Sequence, residues 1–375
     1  MISATKASTE PVAHTPEKQF FLGVDVGGTN IKIGLVDQLG QTLGTASIST
    51  RAAQPAQQAI DRSADACRRI AHEAGVAWPD VAAAGLGVPG PMSLPDGCLF
   101  DPSNLPGWHN FYAQPALQKA LGIPVSFIND ANAAALGEAW IGGGAAHRSL
   151  ALFTLGTGVG GGLITEGHLI NGVNSFGSEM GHMVVDSSPD ARLCVWGGGR
   201  GQLEAFASAS AVAAQAAAGV QAGVDSILCR LQELRSSVAA DPTSGERASD
   251  HRYDKDHSDT DDDDEITAKD VYLAAQAGDG FALELVDEAA FYLGIGVTTA
   301  VHLIDPGIVL LGGAMNFGRT DCPIGRRFLK GVIDEFQRRT FANVAAGTQI
   351  DYATLGGDAG YIGAAAFARQ NLQSR

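Results

Sequence analysis

An acidic residue and a glycine turn lie between two apolar runs in the segment Val24-Asp25-Val26-Gly27-Gly28-Thr29-Asn30-Ile31. Glycines let backbone N–H groups approach a polyanion without a Cβ in the way, and successive turn amides form a concavity that binds anions. The Thr29 hydroxyl adds a donor, and Asp25 ends the incoming strand, where its carboxylate could hold Mg²⁺ directly or through water. We therefore predict a phosphate-binding hairpin, with an ordinary hairpin turn as the alternative.

A related arrangement returns in residues 150–164, where the turn Gly156-Thr157-Gly158 joins two apolar runs. In both places a short turn and a third strand-like stretch come next, so the chain looks duplicated. Two halves that each open with a glycine hairpin could face each other and hold the phosphates of a nucleotide from both sides.

Asp130 is the predicted general base. Together with Asn129 it follows the strand-like residues 125–128 and precedes an alanine-rich helical stretch at 131–140. This order places it at the carboxyl edge of a sheet, where ligands of open α/β folds bind. A carboxylate there could take the proton of a hydroxyl while its oxygen attacks phosphorus. The alternative is a helix cap, which the phosphate hairpins on both sides in sequence make the weaker interpretation.

A second polar group contains Glu179, His182 and Glu204. Short carboxylates, amides and imidazoles can pair with the successive hydroxyls of a sugar. Asn104, in the loop 102–108, could supply a further amide from above. The alternative for a lone histidine is a structural role in the core.

Length and composition describe a two-domain globular protein. The chain has 375 residues, of which 45% are hydrophobic and 18% charged, and it has no apolar run of the length that a membrane span needs. Its net charge of −16 and pI near 4.8 argue against a nucleic-acid-binding surface. Five scattered cysteines form no disulfide framework and indicate a reducing cytoplasm.

Two segments are predicted to lie outside the folded core. Residues 1–18 are polar and indicate a flexible tail. Residues 241–265 carry a run of acidic side chains and indicate a disordered surface insertion, since like charges at this density repel. A calcium loop is the alternative there, but the ordered ligand spacing and central glycine of such loops are missing.

Apolar periodicity predicts the remaining elements. Helices are expected at residues 55–74, 114–121, 203–218, 268–301 and 360–370, the last of them amphipathic, and strands at 81–88 and 307–314. The break Pro89-Gly90-Pro91 opens a loop that is expected to stand over a cleft. Gly312 and Gly313 follow the strand at 307–314, where a glycine turn could let a flat adenine ring lie against the backbone.

From about Phe21 to the final helix the chain resembles the ROK sugar kinases, and within them the bacterial glucokinases. The segments that carry this resemblance are Asp25-Val26-Gly27-Gly28-Thr29, Pro89-Gly90-Pro91, Asn104-Leu105-Pro106-Gly107-Trp108, Asn129-Asp130-Ala131-Asn132, Leu155-Gly156-Thr157-Gly158-Val159-Gly160, Glu179-Met180-Gly181-His182, Leu203-Glu204-Ala205-Phe206-Ala207-Ser208 and Leu311-Gly312-Gly313.

The resemblance implies an actin-like, ribonuclease H-like duplicated ATPase fold of two α/β domains with a cleft between them. We expect a small domain at 19–127, completed by a C-terminal helix at 360–375, and a large domain at 128–359. Asp130 is then the base, and the implied sugar ligands are Asn104, Asn129, Asp130, Glu179, His182 and Glu204. The expected ATP-binding residues are Gly27, Gly28, Thr29, Asn30, Thr157, Gly158, Gly312 and Gly313, with Mg²⁺ at Asp25.

The implied activity is phosphorylation of glucose to glucose 6-phosphate by ATP, a step of glycolysis, in a cytoplasmic homodimer. A sibling specificity for fructose, mannose or an N-acetylhexosamine stays open, as does polyphosphate as donor. A sugar-responsive repressor is a less favoured alternative, because only about twenty residues precede the first strand and the net charge is wrong for DNA. A further alternative, an actin-like filament subunit, would not explain why Glu179 and His182 occur together in this sequence.

One departure from the family pattern concerns zinc. Family members commonly carry a histidine followed by Cys-x-Cys-Gly-x-x-Gly-Cys-x-Glu, whereas this chain keeps only Cys194 in the stretch that leads to Glu204. One sulfur and one imidazole cannot build the closed four-ligand shell of structural zinc. We expect no zinc, with Trp196 and Gln202 orienting His182 by hydrogen bonds or packing instead.

Overall fold

The computed structural model of the protein describes residues 19–194, 199–231 and 265–373. The predicted tail at 1–18, the predicted insertion at 241–265 apart from its last residue, and Trp196 lie outside the described residues. Within the described ranges, no helix is both long enough and apolar enough to cross a membrane.

The first half of the chain forms a five-stranded sheet. Its strands are β1 Phe20–Val26, β2 Asn30–Val36, β3 Thr42–Ser49, β4 Val81–Val88 and β7 Val125–Asn129, and a separate ribbon contains β5 Met92–Ser93 and β6 Cys98–Leu99. The strand order is β3-β2-β1-β4-β7. β1, β2 and β3 are antiparallel neighbours, whereas β4 runs parallel to β1 and β7 runs parallel to β4.

The second half repeats this sheet. Its strands are β8 Leu150–Leu155, β9 Val159–Thr165, β10 His168–Leu169, β11 Ile308–Gly312 and β12 Gln349–Tyr352. They follow the order β10-β9-β8-β11-β12, again with three antiparallel neighbours and two parallel additions. The predicted duplication, with a glycine hairpin opening each half, is confirmed.

Ten helices with bounds inside the described ranges surround these sheets. They are α1 Ala56–Glu73, α2 Ala113–Leu121, α3 Asp130–Trp140, α4 Glu204–Ala207, α5 Ala209–Gln221, α6 Ala268–Gln276, α7 Gly280–Ile304, α8 Pro323–Arg339, α9 Ala342–Gly347 and α10 Ala359–Gln373. α1 and α2 pack on one face of the first sheet, and α10 packs on its other face. α3 contacts both α10 and the second sheet, whose far face is covered by α6, α7 and α8. The pair α3 and α10 therefore lies between the two sheets.

The approach of α10 to the first sheet depends on glycine. A Cβ at Gly23 in β1 or Gly85 in β4 would overlap the backbone oxygens of Tyr361 and Ala364. The sequence predicts an amphipathic helix here, and the structure corrects this, because residues 359–366 are all buried. Small side chains on both partners let the helix fit between the sheet and α3.

Two helices that the periodicity predicts as continuous are interrupted. The predicted helix at 203–218 breaks at Ser208, whose hydroxyl caps α5 by accepting the N–H of Ala211 at 3.0 Å. The predicted helix at 268–301 breaks before Asp279, whose Oδ1 accepts the N–H of Ala282 at 2.8 Å. Periodicity misses both breaks because apolar residues continue on either side, while Ser and Asp start a new helix by capping it.

Candidate active site

A cleft of about 920 Å³ opens between the two sheets, and both glycine turns line it. The carboxyl ends of β1, β7 and β11 point into it, together with the first residues of α3 and α10. The cleft therefore lies where parallel strands of the two sheets end, which is the usual ligand position of α/β folds.

The first glycine turn is anchored from behind by Thr50. The Thr50 N–H donates to the carbonyl of Thr29 at 2.8 Å, and its Oγ1 donates to the carbonyl of Gly27 at 2.7 Å. These two carbonyl oxygens would repel an anion, and their hydrogen bonds to Thr50 keep them directed away from the cleft. The Gly27 N–H closes the turn by donating to the carbonyl of Asn30 at 2.9 Å, and because Gly28 carries no side chain, the N–H groups of Gly28 and Thr29 can come close to a phosphate.

Asp25 lies at the end of β1, opposite Lys32 in β2. Its carboxylate occupies the space that a side chain at Gly360, in the first turn of α10, would fill. Burial, and then the charge of Asp130, raise the pKa of Asp25 from 3.8 to about 7, while Lys32 acts in the opposite direction. Burial and the like charge of the neighbouring carboxyl therefore make it costly for both members of the pair to ionise at once.

Asp130 is the first residue of α3, directly after β7. Its Oδ1 accepts the N–H of Ala131 at 2.8 Å, while the neighbouring Asn129 caps the helix through Oδ1, which accepts the N–H groups of Ala131 and Asn132. Burial raises the pKa of Asp130, and the hydrogen bonds from Ala131 and Asn129 oppose that rise. The cap role thus belongs to Asn129, which leaves the Asp130 carboxyl facing the cleft with the raised pKa that suits a general base.

The second polar group lies across the cleft. Glu204, at the start of α4, is 7% exposed, and its two oxygens accept the N–H of Val159 at 2.8 Å and the S–H of Cys194 at 3.0 Å. His182 lies with Nδ1 3.3 Å from Oε1 of Gln202. Partial loss of water raises the pKa of Glu179, and the nearby His182 lowers it. Two carboxylates and an imidazole can therefore meet the hydroxyls of one sugar ring.

The zinc ion that the family pattern implies does not fit these residues. Cys194 is bonded to Glu204, and the Nδ1 of His182 is bonded to Gln202. Among the residues that the structure describes, no group of three or more His, Cys, Asp or Glu side chains is placed to hold a metal ion. A thiol, an amide and an imidazole with these partners do not form a zinc shell.

The far end of the cleft is bounded by β11 and the loop after it. Gly313 has a φ of +91°, and its carbonyl accepts the side-chain N–H of Asn316 at 3.2 Å. Arg319 also lines this end, and its guanidinium donates to the carbonyl of Ala353. A flat ring could lie here against the backbone, as the glycine turn suggests.

Most of the predicted site residues meet in this one cleft. The lining residues among them are Asp25, Gly27, Gly28, Thr29, Asn30, Asn129, Asp130, Gly158, Glu179, His182, Glu204, Gly312 and Gly313. Asn104 lies beside the first turn, with Nδ2 3.8 Å from the position that a Cβ of Gly28 would take. Thr157 is exposed at the tip of the second turn, between two lining glycines.

Sequence reasoning missed several lining residues, among them Lys32, Ser103, Phe176 and Arg319. Lys32 gave a usable signal, because it is the one charged residue of the otherwise apolar β2. Ser103 and Phe176 come from loops and turns, and Arg319 begins a short 3-10 helix, Arg319–Asp321. In such segments a single sequence shows no pattern that separates cleft residues from solvent-facing ones.

Comparisons with known proteins agree with this geometry. A family model described as the ROK family matches residues 21–371. A glucokinase of Halalkalibacterium halodurans is 33% identical over 95% of this chain and 97% of its own. The crystal structure of a ROK hexokinase from Thermus thermophilus superposes with a TM-score of 0.75 at 28% identity, over 95% of this chain and all of that one.

A third relative has been solved with ligands. A ROK family glucokinase from Streptomyces griseus, in complex with glucose and AMPPNP, has a TM-score of 0.70 at 29% identity, over 94% of this chain and 99% of its own. The match of the family model over nearly the whole chain and the agreement in fold support one conclusion. The chain belongs to the ROK family and is a phosphotransferase with the actin-like ATPase fold of that family.

Proposed function

We propose that the chain phosphorylates glucose at its 6-hydroxyl, with ATP as the donor and Asp130 as the general base. The observation that carries the proposal is the position of Asp130, whose carboxyl with a raised pKa faces the cleft that both glycine turns and the Glu179, His182 and Glu204 group also line. The names of the two relatives that act on glucose support this acceptor over other hexoses.

The proposed reaction is an in-line transfer. Asn104, Asn129, Glu179, His182 and Glu204 hold the sugar hydroxyls and orient the 6-hydroxyl toward the donor. Asp130 takes the proton of the 6-hydroxyl while the oxygen of that hydroxyl attacks the terminal phosphorus of ATP, and ADP leaves. The turn from Gly27 to Asn30 stabilises the phosphate charge through the N–H groups of Gly28 and Thr29, and the second turn does so at Thr157 and Gly158, while Gly312 and Gly313 receive the adenine.

Asp25 would hold a Mg²⁺ ion that enters with ATP, directly or through water. The residues fit such an ion, because Asp25 and Asp130 are hard oxygen donors whose mutual repulsion a cation would relieve. When bound, the ion supplies positive charge to the phosphate oxygens.

A hexose panel tests the acceptor. Glucose, fructose, mannose and N-acetylglucosamine are each assayed with ATP, and with polyphosphate as the alternative donor. We expect kcat/KM for glucose with ATP to exceed that of every other pair at least about tenfold, as about 1.4 kcal/mol of selective hydrogen bonding would give. A higher value for another hexose, or for polyphosphate, would contradict the proposed substrate pair.

We also infer that the enzyme acts in the cytoplasm as a homodimer. Use of ATP and five scattered cysteines accord with that compartment. For the dimer, support comes from two large apolar side chains at one end of the second half, Leu303 at 70% exposure and Phe341 at 72%. Such exposed apolar groups are typical of surfaces that another chain covers.

A further inference from the structure

Backbone hydrogen bonds hold the segment around Gln202 against the segment that follows His182. The carbonyl of Gly201 accepts the N–H of Val185 at 2.8 Å, and the N–H of Leu203 donates to the carbonyl of Met183 at 2.8 Å. Gln202 itself pairs with Val184 as an antiparallel bridge. This short ladder fixes the Gln202 side chain beside the imidazole of His182.

The contact between the two side chains decides which ring nitrogen carries the proton. Oε1 of Gln202 lies 3.3 Å from Nδ1 of His182, and the amide Nε2 is turned the other way, 3.2 Å from where a Cβ of Gly199 would be. An amide oxygen can only accept, so a neutral imidazole must donate from Nδ1. Nε2 of His182 is then an acceptor, ready for a sugar hydroxyl.

Glu204 is held by a matching contact. The Cys194 S–H donates to Oε1 at 3.0 Å, while the N–H of Val159, next to the second glycine turn, donates to Oε2 at 2.8 Å. Glu204 is 7% exposed and therefore depends on these donors, since a buried carboxylate without hydrogen bonds is costly. The side-chain thiol fixes one oxygen and the backbone of the turn fixes the other.

We propose that Gln202 and Cys194 are positioning residues that orient the sugar-binding side chains in place of the zinc ion that the family pattern implies. Gln202 selects the tautomer and direction of the His182 ring, and Cys194 sets the rotamer of Glu204. The site then binds sugar without any metal on its sugar side. The assignment of a sugar as ligand rests on the proposed function, whereas the hydrogen-bond network and the absence of zinc do not.

The tautomer is measured on the free protein by NMR of ¹⁵N-labelled histidine, alongside metal analysis after dialysis. We expect less than about one zinc per ten chains, and the Nδ1–H form of His182 in the wild type. Gln202→Leu should lose that preference, while Gln57→Leu, which removes the hydrogen bond of Gln57 to Asp61 within α1, outside the residues that line the cleft, should keep it. Stoichiometric zinc, or the Nε2–H form in the wild type, would overturn the proposal.

Kinetics then separate positioning from a merely structural role. Gln202→Leu should raise KM for the sugar about tenfold and change kcat less than about threefold, because the lost hydrogen bond orients a binding group. Gln202→Glu keeps an acceptor oxygen and should recover most of the affinity. Cys194→Ala should weaken sugar binding about tenfold, and Cys194→Ser, which keeps a donor, should restore it.

These outcomes distinguish the two proposals. If no hexose is phosphorylated but His182 shows the Nδ1–H form without zinc, the proposed substrate fails and the network stands. If Gln202→Leu folds with an unchanged melting temperature and unchanged KM, or if Gln202→Glu and Cys194→Ser rescue nothing, the positioning roles are wrong whatever the substrate.

Discussion

Asp25 and Asp130 lie close enough in the cleft for the charge of one carboxyl to raise the pKa of the other. Asp130 follows β7 and is the first residue of α3, so the backbone fixes its position, while burial raises its pKa. Asn129 caps the helix and thereby frees Asp130 from that task. Asn129 thus has a structural role, and in the proposed reaction the chemical role belongs to Asp130.

Replacement of Asp130 by Asn tests its role as base. We expect Asp130→Asn to lower kcat by about 10²–10⁴-fold, because the amide cannot take the proton, while the sugar still binds. Calorimetric titration with glucose and steady-state kinetics measure the two effects. The exposed Asp65 of α1, on the far side of the first sheet, provides the control Asp65→Asn, which should leave both unchanged. Turnover near the wild-type level in Asp130→Asn would exclude this base.

The raised pKa of Asp25 gives a dependence of stability on pH. Because its pKa is about 7 in the folded protein against 3.8 ordinarily, the folded state binds the proton more tightly. The stabilisation that this carboxyl contributes is complete below about pH 4 and is lost as pH rises through 7. At pH 8 the charge of this partly buried carboxylate therefore opposes folding.

Asp25→Asn should accordingly raise the free energy of unfolding at pH 8, by up to about 4 kcal/mol, and much less at pH 5. The measurement is thermal unfolding at both pH values in EDTA without nucleotide. The same variant should lose activity, since it weakens the proposed Mg²⁺ ligand. An equal change in stability at the two pH values would show that the pKa of Asp25 is not raised.

At the scale of elements, the first hairpin offers a substitution that separates function from folding. A Cβ at Gly28 would lie 3.6 Å from its nearest neighbour, the carbonyl oxygen of Asn104, so the fold accepts alanine. The methyl group would stand where we place the phosphates. We expect Gly28→Ala to raise KM for ATP about 10–100-fold, through loss of about 1.5–3 kcal/mol of hydrogen bonding. Gly347→Ala, whose Cβ meets nothing within 4 Å, is the control and should not change KM.

For the contact between α10 and the first sheet, we expect a substitution to lower stability rather than to change ATP binding. A methyl group at Gly85 would overlap the backbone of Ala364, which cannot move without displacing α10. Gly85→Ala should lower the free energy of unfolding by about 3 kcal/mol or more. Gly44→Ala on β3 meets its nearest atom at 3.5 Å and should cost far less. Chemical denaturation of both variants compares them, and equal midpoints would mean that the helix adapts.

Sequence patterns predicted the elements that carry a local signal. Both glycine hairpins, β4 and the position of Asp130 at the start of α3 have one, since strand, turn and helix residues follow each other there. The breaks at Ser208 and Asp279 have none in the apolar periodicity, because a single cap side chain decides them. Cleft residues from loops, such as Ser103 and Phe176, depend on distant segments that bring them together.

For the whole molecule, the proposed homodimer predicts a mass. One chain has 38.7 kDa, so light scattering should give about 77 kDa. Phe341→Asp should shift the mass toward the monomer, because Phe341 is 72% exposed and packs against His302 with ring centroids 5.9 Å apart. Leu39→Asp, at an 81% exposed turn in the other half, should leave the mass unchanged. A monomeric wild type would contradict the dimer.

The place of α10 also bears on how the protein is made. Its residues leave the ribosome long after β1 and β4, yet they cover the face that these strands present toward α3. Until the last helix emerges, the nascent chain exposes that apolar face, and the first half stays incomplete during translation. Because the helix that covers this face is made last, we expect chaperones to bind unfinished chains. We also expect chains that end before residue 359 to fail to fold.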